Sequence, residues 1–231
     1  MDTNPWLRLP TNPPYVLPED REAVEEFNRA RGQAHDHFLH INELLPEPFI
    51  GDKDAPVVLL SNNPGFGENV PFRQTSDFRA MMRNNLHHVA TDWPFLYLNP
   101  AFDVWEKWWR RKRVRRLIKR FDKQTVARCI LNVVLCPYPS RNYGHLSVPS
   151  VRYSFGLVSD AVARNSVVIL MRLGQRGEWA ENVPELRNYD RFFLVPNARN
   201  PAVTENCPGY EQVISAIKAF TNDQQGNEVR Q

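Results

Sequence analysis

The chain has 231 residues, 42% of them hydrophobic, enough for one generous domain with a real core. No apolar stretch approaches the ~20 residues that a membrane helix needs, and the proline-rich start MDTNPWLRLPTNPPYVLP lacks a signal peptide's apolar segment, so a cytoplasmic protein is expected. The net charge of +3 hides a local excess: ten of the 29 Lys/Arg fall between Lys107 and Lys123, against the single acid Asp122. The remainder is net acidic, and a polyanion is the natural partner of such a segment.

Residues 1–18 are expected to form an irregular arm. From Glu19, the apolar residues Val24, Phe27, Ala34, Phe38, Ile41 and Leu45 recur at roughly helical spacing, with acids in the first turn. That pattern predicts one long amphipathic helix, ended by Pro46 and Pro48. Four short apolar runs follow: PVVLLS (56–61), CILNVVL (129–135), SVVIL (166–170) and RFFLV (191–195). Their hydrophobicity is continuous rather than alternating, which predicts strands buried on both faces of a parallel sheet. The intervening segments suffice for right-handed crossovers. The expected fold is therefore a three-layer α/β/α domain over residues 19–220 with a central four-stranded parallel sheet. A last helix is expected over 209–220 and a disordered tail over 221–231. The stretch 137–155, PYPSRNYGHLSVPSVRYSF, is rich in turn formers and reads as a long functional loop.

In open parallel sheets the ligand crevice lies beyond the carboxyl ends of the strands. Three polar motifs sit at such ends here: SNNPG, CPYPSRNYGH and PNARNP. Asn132 lies inside an apolar strand, where an unpaired amide would cost about 1–3 kcal/mol, so a ligand or a neighbouring backbone group must satisfy it. The segment Trp105–Phe121, WEKWWRRKRVRRLIKRF, interleaves tryptophans with cations. Its arginines and lysine (Arg110, Arg111, Lys112, Arg113, Arg115, Arg116) are expected to contact phosphates, with a solvated face or a nuclear-localisation signal as alternatives. Three cysteines without Cys-x-x-Cys spacing exclude a self-sufficient zinc or iron–sulfur site and read as buried thiols. His35, His37 and His40, together with His87 and His88, raise a metal hypothesis, but no further ligand set follows them, so no metal is expected.

The stretch Asn63-Pro64-Gly65-Phe66-Gly67, followed by Asn69-Val70-Pro71-Phe72, resembles the first motif of the uracil-DNA glycosylase superfamily. It is most similar to the single-strand-selective monofunctional and mismatch-specific branches. Ile130–Leu135 resembles the superfamily's base-reading strand, and Pro196-Asn197-Ala198-Arg199-Asn200-Pro201 its second motif. The resemblance spans roughly residues 20–220. It implies a monofunctional enzyme that hydrolyses the N-glycosidic bond of an extruded uracil or 5-substituted pyrimidine, without a cofactor and acting as a monomer on DNA. Asn63 would orient the attacking water, and Asn132 would read the base edge. Phe72 would stack on the base, with Phe66 beside it. Gly65 would leave open the wall that a tyrosine closes in the strict uracil enzymes. Arg199 would wedge into the vacated stack, and Arg141 would contact DNA. One departure stands out: Val195 occupies the place of a histidine that stabilises the leaving base, with Asn197 or His145 as replacements. That departure also allows an inactive DNA-binding relative, and the histidines a metal-dependent nuclease.

Overall fold

The computed structural model describes residues 3–67, 70–102, 110–197 and 199–228. Its five strands are β1 (Phe49–Gly51), β2 (Val57–Ser61), β3 (Ile130–Val134), β4 (Val167–Leu170) and β5 (Phe192–Leu194). They form one sheet in the order β1-β3-β2-β4-β5. The four expected runs are β2 to β5, and they are mutually parallel. Every residue of β2, β3 and β4 is buried, as their unbroken hydrophobicity requires. The sheet is nevertheless mixed, because β1 pairs antiparallel with β3.

The helices of the described residues are α1 (Arg21–Arg31), α2 (Val70–Arg73), α3 (Ser76–Leu86), α4 (Arg110–Phe121), α5 (Lys123–Cys129), α6 (Val151–Ala163), α7 (Arg176–Asn182) and α8 (Tyr210–Glu228). α5 packs on α8, which lies against β2 and β4, while α6 covers β3 and β4. The parallel strands point one way, so the segments after β2, β3 and β5 all leave from the same edge of the sheet.

Three sequence expectations are corrected here. The long first helix stops at Arg31, because Gly32 takes φ 75° and its N–H closes on the Asn28 carbonyl. A residue in that left-handed conformation ends a helix, and glycine adopts it without steric cost. Residues 33–45 are turns, so His37 and His40 do not share a helix face. The supposed loop over 137–155 is irregular only to Ser150, since α6 begins at Val151. At the other end, α8 continues through Glu228, so most of the expected disordered tail is helical.

β1 is only three residues long, and Asn85 of α3 holds it in place. The Asn85 side chain donates to the Phe49 carbonyl at 2.9 Å and accepts from the Gly51 N–H at 3.0 Å. Gly51 has φ 124°, and a Cβ there would sit 2.1 Å from the Ile130 carbonyl oxygen. Gly51→Ala is therefore expected to destabilise the fold by at least about 2 kcal/mol, measured by urea denaturation.

Candidate active site

The loops after β2 and β3 form one unit, because the strand ladder runs on beyond the strand ends. Leu135 N–H donates to the Ser61 carbonyl at 3.2 Å and Cys136 N–H to the Asn62 carbonyl at 2.8 Å. Further out, Ser140 N–H donates to the Pro64 carbonyl at 3.2 Å and Phe66 N–H to the Ser140 carbonyl at 3.0 Å. Gly65 and Ser140 thereby make an isolated parallel bridge.

This double loop fixes Asn63. Its Nδ2 donates to the Ser140 hydroxyl at 2.8 Å and to the Ser140 and Pro64 carbonyls at 3.1 Å each. All the donor capacity of the amide is thus committed, and its Oδ1 has no hydrogen-bond partner among the described residues. An amide oxygen held in this way accepts a hydrogen bond from a water and orients it, but cannot remove the proton. Ser140 is buried, and its hydroxyl donates onward to the Asn142 carbonyl at 2.8 Å.

Asn132 sits mid-strand at 4% exposure, paired in register with Leu59. Its Oδ1 accepts from the Ser61 hydroxyl at 2.7 Å. Ser61 therefore satisfies half of the buried amide that neither strand backbone takes up, and it links Asn132 to the strand end that carries Asn63. The Asn132 Nδ2 makes no hydrogen bond to a described residue.

Gly65 is exposed, and a Cβ there would meet nothing within 4 Å. Its carbonyl accepts from Arg73 Nη1. Arg73 is buried against the equally buried Glu47, with Nη2 and Oε1 2.5 Å apart, and Tyr97 donates to that same carboxylate oxygen at 2.7 Å. Phe66 lies flat on His40, with ring centroids 3.3 Å apart and planes 5° apart. Burial holds the His40 imidazole below its ordinary pKa, against the opposing pull of the Glu43 carboxylate beside it, so a neutral ring backs Phe66. Phe72 is placed otherwise. It is buried edge-on against Phe78 and Phe102, so it belongs to the core.

The second loop is anchored from below by Asp20, which is fully buried and accepts from the Tyr138 hydroxyl at 2.7 Å, the Ser150 hydroxyl at 2.5 Å and the Ser150 N–H at 3.0 Å. Desolvation raises the Asp20 pKa, opposed by those same hydrogen bonds. The turns that replace the second half of the expected helix drape over this loop as well. His40 N–H donates to the Pro139 carbonyl at 2.8 Å, and Asn142 N–H to the Asp36 carbonyl at 2.9 Å.

The third loop stands apart. Asn197 is exposed, and its Oδ1 accepts from the N–H groups of Arg199 and Asn200 at 3.1 Å each, a local turn that occupies the oxygen. Val195 is buried. Arg199 is exposed, and no hydrogen bond joins residues 196–201 to the other two loops among the described residues. The loop meets the basic helix instead: Val203 N–H donates to the Arg113 carbonyl at 2.7 Å, and Arg116 lies 3.6 Å from Glu205.

On α4, Val114 and Leu117 face inward, whereas Lys112, Arg115, Arg116, Lys119 and Arg120 are exposed. Arg113 is only 8% exposed, so it is placed with the packed face and not with the surface cations expected to meet phosphate. The side chains of Arg110 and Arg111, the tryptophans at 105, 108 and 109, and Lys107 lie outside the described residues. Arg141 is exposed at the tip of the second loop. Among the described residues no three His, Cys, Asp or Glu side chains gather as a metal would require. No described helix is long and apolar enough to cross a membrane. All three cysteines are free and buried, and burial pushes the Cys129 and Cys136 thiols up to about 12, which keeps them protonated and inert.

Compared with protein-family models, curated proteins and solved structures, the chain matches none. Its function has to be argued from its own geometry.

Sequence reasoning named Asn63, Gly65, Phe66 and Asn132 but missed what holds them: Ser140 grips Asn63, Ser61 grips Asn132, and His40, considered only for metal, backs Phe66. A serine beside a strand asparagine is too common a pair to be singled out before the register is known. Tyr138→Phe removes a donor to buried Asp20 and an acceptor for Leu17 N–H (3.2 Å). The expected loss is about 1–3 kcal/mol in chemical denaturation, for a volume-neutral change.

Proposed function

We propose that the protein is a monofunctional DNA glycosylase with a uracil-DNA glycosylase-like α/β/α arrangement, acting on an extruded uracil or 5-substituted pyrimidine. One observation carries this reading: Asn63 is clamped at the sheet rim by every one of its donors, leaving a single oxygen free to hold a water. Around it lie features that suit an extruded base. Asn132 has an uncommitted Nδ2 that could meet a pyrimidine carbonyl, and Gly65 leaves space where a side chain would exclude a C5 substituent. The exposed cations of α4, alongside Arg199 and Arg141, suit a phosphodiester chain.

The stacking ring in this reading is Phe66 and not Phe72. Phe66 is partly exposed and backed by neutral His40, whereas Phe72 is spent in the core. Phe66→Ala is expected to weaken binding of base-containing single strands by about 1–3 kcal/mol while leaving an abasic strand unaffected, as read by fluorescence anisotropy.

A second reading, a DNA binder without turnover, is favoured by Val195, an apolar side chain buried where the resemblance expects the histidine that stabilises a leaving base. Incubation with DNA carrying uracil, 5-hydroxymethyluracil or glucosylated 5-hydroxymethylcytosine separates the two. The glycosylase reading expects alkali-sensitive breaks with at least one of these, and a fall of about 10²-fold or more for Asn63→Ala at unchanged DNA affinity. Tight binding with no breaks on any substrate, alongside a working control enzyme, would establish the second reading.

A further inference from the structure

Beside the double loop lies a cluster that the reading above leaves unused. Glu178 of α7 accepts from the Tyr143 hydroxyl, which lies 2.9 Å from both carboxylate oxygens. His145 places Nδ1 3.3 Å from Glu178 Oε1 while its side chain remains 73% exposed. A relay of hydrogen bonds and backbone joins the cluster to Asn63. The Asn63 amide grips Ser140, the Ser140 hydroxyl donates to the Asn142 carbonyl, and Tyr143 is the next residue. Between Tyr143 and His145, Gly144 approaches α1 so closely that a Cβ would lie 2.7 Å from the Phe27 ring and 3.1 Å from His37 Cβ. That approach seats the backbone which carries both side chains.

A carboxylate facing Nδ1 makes that nitrogen the protonated one, and the neutral ring then bears its lone pair at Nε2. Burial and the neighbouring carboxylate raise the Tyr143 pKa, so the phenol remains a donor to Glu178. Among the described residues the charged group facing this imidazole is Glu178 of α7, and Tyr143 and Cys136 act on that carboxylate from behind.

We infer that His145, held by Glu178, is the general base of this site and supplies the proton acceptor that the amide of Asn63 cannot be. This rests on the glycosylase reading. The water oxygen bonds to the sugar C1′ and passes its proton to His145 Nε2. The C1′–N bond breaks with its electron pair leaving on the base, and the imidazolium then returns the proton to the base nitrogen. Glu178 acts as a positioning residue, directing the ring and stabilising its charged form.

The test is single-turnover excision from an oligonucleotide carrying whichever of the three bases the parent removes fastest. His145→Ala is expected to slow the step about 10²-fold or more, with added imidazole restoring a substantial part, and Glu178→Gln to slow it with little change in KM. Since His145 is a surface side chain, circular dichroism of the variant is expected to match the parent. A His145→Ala variant as fast as the parent would overturn the inference and leave the glycosylase reading intact. So would a slow variant that imidazole does not rescue, because the loss would then be one of shape. A parent that excises none of the bases would bring down both.

Discussion

The site depends on one constraint: the β2–β3 ladder does not stop where the strands stop. Hydrogen bonds from Leu135, Cys136, Ser140 and Phe66 carry parallel pairing outward through two loops rich in proline and asparagine. Loops ordinarily expose their backbone to water and move. Here the backbone of each loop is satisfied by the other, so side chains at the rim inherit the rigidity of the sheet. Asn63 has a fixed direction because Ser140 does, and Ser140 does because both loops are tied to neighbouring buried strands.

Charge is distributed to match. The centre of the molecule holds few ionised groups, and those it holds are closely partnered: Arg73 with Glu47, and Asp20 with two hydroxyls and an amide. Breaking a buried pair such as Arg73–Glu47 typically costs about 3–5 kcal/mol, so these groups fix positions more than they tune reactivity. The cations of α4 are spread over an exposed face, where single ion pairs such as Arg116–Glu205 contribute little. Such a face acts through its summed field, which suits attraction of a long polyanion better than recognition of a small one.

Much of this was legible in the sequence, and the failures have physical causes. The four parallel strands were readable because burial on both faces leaves unbroken runs of Val, Ile and Leu. β1 was not, since Phe-Ile-Gly between Pro48 and Asp52 is too short to show any period. The first helix was overextended because Phe38, Ile41 and Leu45 happen to fall at helical spacing, while the left-handed Gly32 that ends it looks like any glycine. At the rim, the polar loops announced themselves by composition. Phe72 could not be placed in advance, because an aromatic after a turn reads the same whether it packs inward or awaits a ligand. Glu178 gave no signal at all: its partners lie more than thirty residues earlier in the chain, and only the fold brings them together.

The Arg73 guanidinium touches both the Gly65 carbonyl and the Glu47 carboxylate, deep in the protein. To swing the Gly65 lip outward, the molecule would have to give up this hydrogen bond, although Arg73 would keep its partner Glu47. Any displacement of that lip would therefore be felt at Ser140 and at Arg73 together.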